Sequence, residues 1–425
     1  MTVSRRQVLR STTVLTTTAL AGTALAATGL VGTAAADPGG GGGGAGGGGG
    51  GAPAPRGGGG PRGGGGGGGA AGGGGAPGAG GGPRAPAPGG GPPPRRRVLW
   101  RDDFANGFST DGPGARWAFL PFGPTIGRDG VATTDRRGLT VVSGATNPGT
   151  GEPAFAMTVG PNDPSGFPGS MDHVKWLAYP NHQAASGVLG FDAEPDTELS
   201  GEAVLSASSY GMAGHPFGAA VLDPADDLRL AAPAMPVQDL ETGVAFDFFL
   251  TDRGIYAGYE RLPHNRPQLG DYAAFLYAVP VARRCPSESH LLRISYDRSR
   301  GLATWYLDGR EVFRVDRIGY RLPAGRRHML LDHGGTEQLV APRQLAFGLG
   351  MFNILDAARA GRPGSGLVRL TPEADHYLDP AVDTPAPQRF VDDAALPGSR
   401  LWGQGTALRV GGFTVSGRRS PGGAA

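Results

Sequence analysis

From residue 98 onward the apolar residues recur with the period of a strand. "HLLRISYD" (290–297) places Leu292, Ile294 and Tyr296 on one face. "GLTVVSG" (138–144) is an aliphatic run bounded by glycines, and "RQLAFGLGMFNIL" (343–355) and "ALRVGGFTVSG" (407–417) read the same way. In "ATWYLDGREVFRVDRIG" (303–319), Trp305 and Leu307 precede Asp308-Gly309, and Val312 and Val315 follow. Asp-Gly between two such runs predicts a two-residue type I′ hairpin, because both residues tolerate positive φ. Helical periodicity is scarce, with one short candidate around Leu355–Arg359. Many strands with Gly/Pro-rich turns predict an all-β, antiparallel β-sandwich with few short helices.

The stretch "ETGVAFDFFLTDRGIYAGYERL" (241–262) is a second hairpin with three acids. Val244, Phe246, Phe248 and Leu250 form the core face; Ala245, Asp247, Phe249 and Thr251 form the other. Glu241 and Asp247 share parity but stand six residues apart, about 20 Å along a strand, which is too far for paired acid catalysis. Asp247 and Glu260 can meet only across the turn. A loop of Arg253-Gly254 would set them directly opposite; a type I turn on Asp252-Arg253 with Gly254 as a left-handed bulge residue would set Asp247 against Tyr259. A single Gly favours the bulge, so the two acids are expected not to face each other. They are the only catalytic candidates. Asp247 with the rings of Phe249, Tyr256 and Tyr259 would suit a sugar platform, since aromatic rings stack on C–H faces while a carboxylate takes hydroxyl hydrogen bonds. "SMDHVKWLAYPNH" (170–182) is the other dense cluster, with Trp176 and Tyr179 as ring candidates; alternation sends His173, Lys175, Leu177 and Tyr179 one way and Asp172, Val174, Trp176 and Ala178 the other.

Composition divides the chain. The first 36 residues carry Arg5-Arg6, a moderately apolar run and Ala34-Ala35-Ala36, the pattern of a twin-arginine signal peptide, so export to the extracellular side is expected, with wall association possible through the linker. Residues 37–97 are almost entirely Gly, Pro and Ala, which have nothing to bury and predict a disordered tether. The folded domain is expected over 98–419, with a short tail at 420–425. The whole chain carries +2, but residues 1–97 hold nine Arg and one Asp, leaving −6 on the rest. A nucleic-acid partner is therefore not expected, nor stable membrane insertion of the mature protein. Cys285 is the single cysteine, which excludes an internal disulfide.

The opening "WRDDF" (100–104), Trp117, "DGVATTDRRGLTVVSG" (129–144), the "WYLDGREVFRV" hairpin (305–315) and the closing "LRVGGFTVS" (408–416) resemble a concanavalin A-like lectin/glucanase jelly roll. Segments such as "DHVKWLAY", "FDFFLTDRGIYAGYERLP" and "RLWGQGTALRV" are also similar to a group of secreted actinobacterial proteins with no assigned activity. The resemblance implies that first and last strands pair. Glucanases of this type carry E-x-D-x-(x)-E on one strand, and that motif is absent here.

Other clusters are weaker. "HMLLDHGGTE" (328–337) groups His328, Asp332, His333 and Glu337 without a recognised ligand spacing. Asp102, Asp103 and Asp308 are the candidates for a structural calcium; no other cofactor is expected. The reading that follows is a protein that binds a cell-wall or environmental polysaccharide without cleaving it. The alternatives are a glycoside hydrolase or polysaccharide lyase using Asp247 and Glu260, or a structural wall protein whose sheet face is filled by 356–400.

Overall fold

The computed structural model describes residues 96–119, 121–122, 125–126, 130–143, 173–215, 217–359, 362, 366–367, 369–370, 376–378, 385–387 and 404–420. Residues 1–95, expected to hold a signal peptide and a tether, and most of 356–400 lie outside them.

Two antiparallel sheets form a sandwich. The eight-stranded sheet runs, in spatial order, through Arg310–Val315, Leu302–Leu307, His290–Asp297, Thr197–Tyr210, Gly405–Arg419, Gly138–Ser143 and Gly130–Asp135, with Arg97–Asp102 also paired to Gly405–Arg419. First and last strands thus lie together, Asp102 opposite Phe413. The ten-stranded sheet runs through Met329–Asp332, Phe275–Arg283, Gly254–Arg261, Val244–Leu250, Ala232–Gln238, Leu349–Asn353, His173–Pro180 and Trp117–Phe119, with Gln344–Phe347 and Phe191–Asp192 alongside. Helix among the described residues is limited to Arg266–Leu269 and short 3₁₀ turns. The expected helix near Leu355–Arg359 is instead a turn: Ala358 N–H donates to Leu330 C=O (2.7 Å), drawing this segment against the edge strand Met329–Asp332.

The core between the sheets follows the alternation. Leu292, Ile294, Tyr296 and Trp305 meet Val244, Phe246, Phe248 and Leu250, all buried. Phe246 meets the Trp305 ring edge-on at 5.6 Å, and Trp305 Nε1 donates to the Asp247 carbonyl at 2.7 Å, tying one sheet to the other. The Asp308-Gly309 turn is as expected: Leu307 pairs with Arg310, and both turn residues have positive φ (49° and 81°).

Ala232–Gln238 is a central strand despite Pro233 and Pro236, where prolines are ordinarily confined to edges. Each proline falls at a break in the ladder it faces. Pro236 C=O accepts from Gly348 N–H (2.7 Å), so its missing N–H points to the side where Gln344–Phe347 gives way to Leu349–Asn353. Pro233, three residues back, points the other way, one step beyond the last pair with the neighbouring strand, Ala234–Phe249.

Candidate functional site

The site is built on the outer face of the ten-stranded sheet. The 241–262 hairpin has neither expected register. Leu250 pairs with Ile255, and the loop is Asp252-Arg253, so Asp247 stands opposite Gly258 and Glu260 opposite Ala245. Gly254 is a strand residue without positive φ, which corrects its assignment as a left-handed bulge. The turn is held by its surroundings. Thr251 Oγ1 accepts from Gly254 N–H (2.8 Å), Ser209 N–H donates to Asp252 (2.8 Å), and Arg253 pairs with Asp223 (3.1 Å). Gly254 supplies clearance: a Cβ there would lie 2.7 Å from the Tyr256 ring.

In this register Asp247 and Glu260 share a face as diagonal neighbours, about 7 Å apart at Cβ. Long side chains at diagonal positions are within reach of one another, but the surroundings are closed. Asp247 is 2 % exposed and Glu260 8 %. With Tyr179, Gln238, Phe249 and Leu262 they line a cavity of about 30 Å³. Tyr179 donates its O–H to Gln238 Oε1 (3.2 Å). Burial first, then the charges of Asp247 and Glu260, push the Tyr179 phenol well above its ordinary pKa.

The open space on this face lies further along, beside Tyr256. A cavity of about 340 Å³ is lined by Tyr256, Ala278, Leu330, Ala358, Asp226 and Arg229, among others. Tyr256 is half-buried and donates its O–H to Asp226 (2.8 Å), which also accepts from Thr251 Oγ1 (2.5 Å) and Arg283 (2.6 Å). Burial and then the Asp226 hydrogen bond raise the Tyr256 pKa, so the ring stays a neutral, fixed phenol. A second cavity of about 780 Å³ adjoins it at Leu330 and Ala358.

Several expected site residues are elsewhere. Trp176 is fully buried between the sheets, 5.6 Å from Phe108, and is core. Tyr259 also faces the core; its O–H donates to Tyr320 C=O (3.0 Å) and its oxygen accepts from Gly319 N–H (2.7 Å). Both follow from strand parity. Tyr179 and Phe249 lie on the predicted face but are buried. The calcium candidates are committed locally. Asp102 accepts from Phe104 N–H, Arg116 and Trp117 Nε1; Asp103 from Ala105 N–H; Asp308 from Leu291 N–H. No group of three metal-ligating side chains converges among the described residues. In the 328–337 stretch, Asp332 accepts from the Arg321 guanidinium and Glu337 from the Arg321 backbone N–H, and His328 accepts from Arg327, so the four do not form a ligand set. Asp172 lies outside the described residues.

Sequence reasoning missed Asp226, Leu330 and Ala358, which come from three distant segments. The acidic run Asp223–Asp227 and the pair Arg326-Arg327 were visible signals, but nothing local placed them on one face.

Among proteins similar to this chain, "Uncharacterized protein L829" of Acanthamoeba polyphaga mimivirus is 31 % identical over 342 residues, covering 66 % of this chain and 70 % of its own. A solved endo-beta-1,3(4)-glucanase from family GH16, SCLam, aligns over 76 % of this chain and 92 % of its own at 11 % identity and a TM-score of 0.36. The endo-beta-1,3-glucanase from Pyrococcus furiosus aligns over 77 % and 97 % at 12 % identity and a TM-score of 0.35. Residues 101–419, from the end of the first strand through the last, match one family, and the chain belongs to it: the family of unknown function DUF6081.

Proposed function

We propose that this protein is exported and binds an extracellular polysaccharide on the outer face of the ten-stranded sheet, without cleaving it. One contrast carries the reading. The two carboxylates that could do acid–base chemistry line a cavity of about 30 Å³, room for about one water molecule. The open cavities on the same face measure about 340 and 780 Å³, the size range of small-molecule sites. Tyr256 offers a half-buried ring beside apolar Ala278 and Leu330, and Asp226 offers a fixed acceptor. That combination suits a sugar, whose C–H face stacks on rings while its hydroxyls seek acceptors.

The test is a polysaccharide-binding screen with the purified protein, run beside a reducing-end assay. Retention on a polysaccharide without product, lost in Tyr256→Ala and kept in Asp247→Asn, is the expected result. Release of shorter sugars by the wild type, abolished in Asp247→Asn or Glu260→Gln, would sink the reading in favour of a hydrolase or lyase.

A further inference from the structure

The two open cavities meet at Leu330 and Ala358 and form one trough, and the charges along it are unequally satisfied. Its acids are engaged. Asp223 pairs with Arg253 (3.1 Å), Asp226 with Arg283 (2.6 Å), Asp227 with Arg229 (2.6 Å) and Asp332 with Arg321 (2.6 Å); Asp356 has a partner as well. Two of its cations are not. Arg326 makes no side-chain hydrogen bond or ion pair among the described residues, and Arg327 donates only to His328 Nε2 (2.9 Å). A ring nitrogen that accepts is unprotonated, and burial with the adjacent Arg327 charge lowers the His328 pKa, so that bond leaves the Arg327 charge uncompensated. Both guanidinium groups are exposed, on the 3₁₀ turn Arg326–His328 that leads into the edge strand Met329–Asp332.

We propose that the trough takes an anionic glycan, with Arg326 and Arg327 holding its carboxylate or phosphate groups while its apolar sugar face lies along Met329, Leu330 and Ala358. This rests on the glycan-binding reading and narrows it. Guanidinium groups match carboxylate and phosphate oxygens in a two-pronged geometry. With Asp223, Asp226, Asp227 and Asp332 each paired to an arginine, the charges of Arg326 and Arg327 are the ones left to meet an anion. The folded part carries −6 overall, so attraction is short-ranged and the contact depends on local pairing, which salt screens.

The experiment is calorimetric titration of the full chain with three length-matched oligomers: oligogalacturonate, oligo(glycerol phosphate) and a neutral laminari-oligosaccharide. At least one acidic oligomer should bind about tenfold more tightly than the neutral one, as two partly exposed charge contacts allow. That margin should shrink between about 50 and about 500 mM salt, where exposed charges are screened. Arg326→Gln with Arg327→Gln should abolish the margin while leaving the neutral affinity and the melting temperature unchanged; Tyr256→Ala should weaken acidic and neutral ligands alike. Which acidic oligomer binds identifies the source of the anion. Equal affinity for neutral and acidic oligomers, untouched by the Arg substitutions, would overturn this inference and leave the glycan reading standing. No binding by any oligomer or polysaccharide would overturn both.

Discussion

Asp247 and Glu260 lie on one face of adjacent strands but are offset by two residues, with Gly258 opposite Asp247 and Ala245 opposite Glu260. Gly258 is what lets the Phe249 ring and Asp247 settle there: a Cβ at that position would stand 2.5 Å from the ring and 2.7 Å from Asp247 Cβ. Gly258→Ala should therefore destabilise the fold by about 1–3 kcal/mol, the usual cost of overpacking. Urea unfolding of the two proteins checks this; an unchanged midpoint would mean that the face is looser than described.

The groove assigns different weights to the parts of Tyr256. Tyr256→Phe keeps the ring and loses only the hydrogen bond to Asp226, so it should cost polysaccharide affinity at most about fivefold, the worth of one modest hydrogen bond. Tyr256→Ala, which removes the stacking surface, should cost more. Affinity electrophoresis of the pair separates the two contributions, and equal losses would put the binding energy in the hydroxyl.

Trp305 ties the sheets through its bond to the Asp247 carbonyl and its contacts with Phe246 and Phe313. Trp305→Phe should cost about 2 kcal/mol, combining a lost buried hydrogen bond with unfilled volume. Thermal unfolding by circular dichroism measures it.

His264 is half-buried near His333, and desolvation first, then the His333 charge, lowers its pKa from 6.5 to about 4. The folded state therefore disfavours the proton that the unfolded chain accepts. The stabilisation is full above about pH 6.5 and is lost as pH falls toward 4, amounting to about 3 kcal/mol at most. Urea midpoints at about pH 8 and about pH 5 should differ more in the wild type than in His264→Gln. Parallel slopes for both would remove His264 as the cause.

Lys175 is the single lysine of the chain and is 1 % exposed, at a bulge where Trp176 pairs with Met351 and Val174 with Phe352. An amine-reactive reagent should leave it unmodified in the native protein and label it after denaturation, as read by peptide mass spectrometry. Rapid native labelling would show that the sheet opens at this bulge.

The sequence by itself determined what depends on neighbours along the chain. Period-two alternation put Val244, Phe246, Phe248 and Leu250, and separately Leu292, Ile294 and Tyr296, on core faces. Asp308-Gly309 sets its hairpin because only residues tolerant of positive φ fit that turn. It also showed that Glu241 could not pair with Asp247, since strand rise alone separates them.

Tertiary structure decided the rest. The Ala232–Gln238 strand is hidden by two prolines that are tolerated only because the ladders break where their N–H groups would point. The Asp252-Arg253 register follows from Ser209, Asp223 and the Thr251 hydroxyl, two of them distant in sequence, and Gly254 serves the Tyr256 ring instead of the turn. The closing of the Asp247–Glu260 face and the opening beside Tyr256 depend on Asp226, Leu330 and Ala358, which meet only once the sheets are assembled. Local propensity carries no information on which distant segments will share a face, and that sharing separates a buried pair of acids from an accessible site.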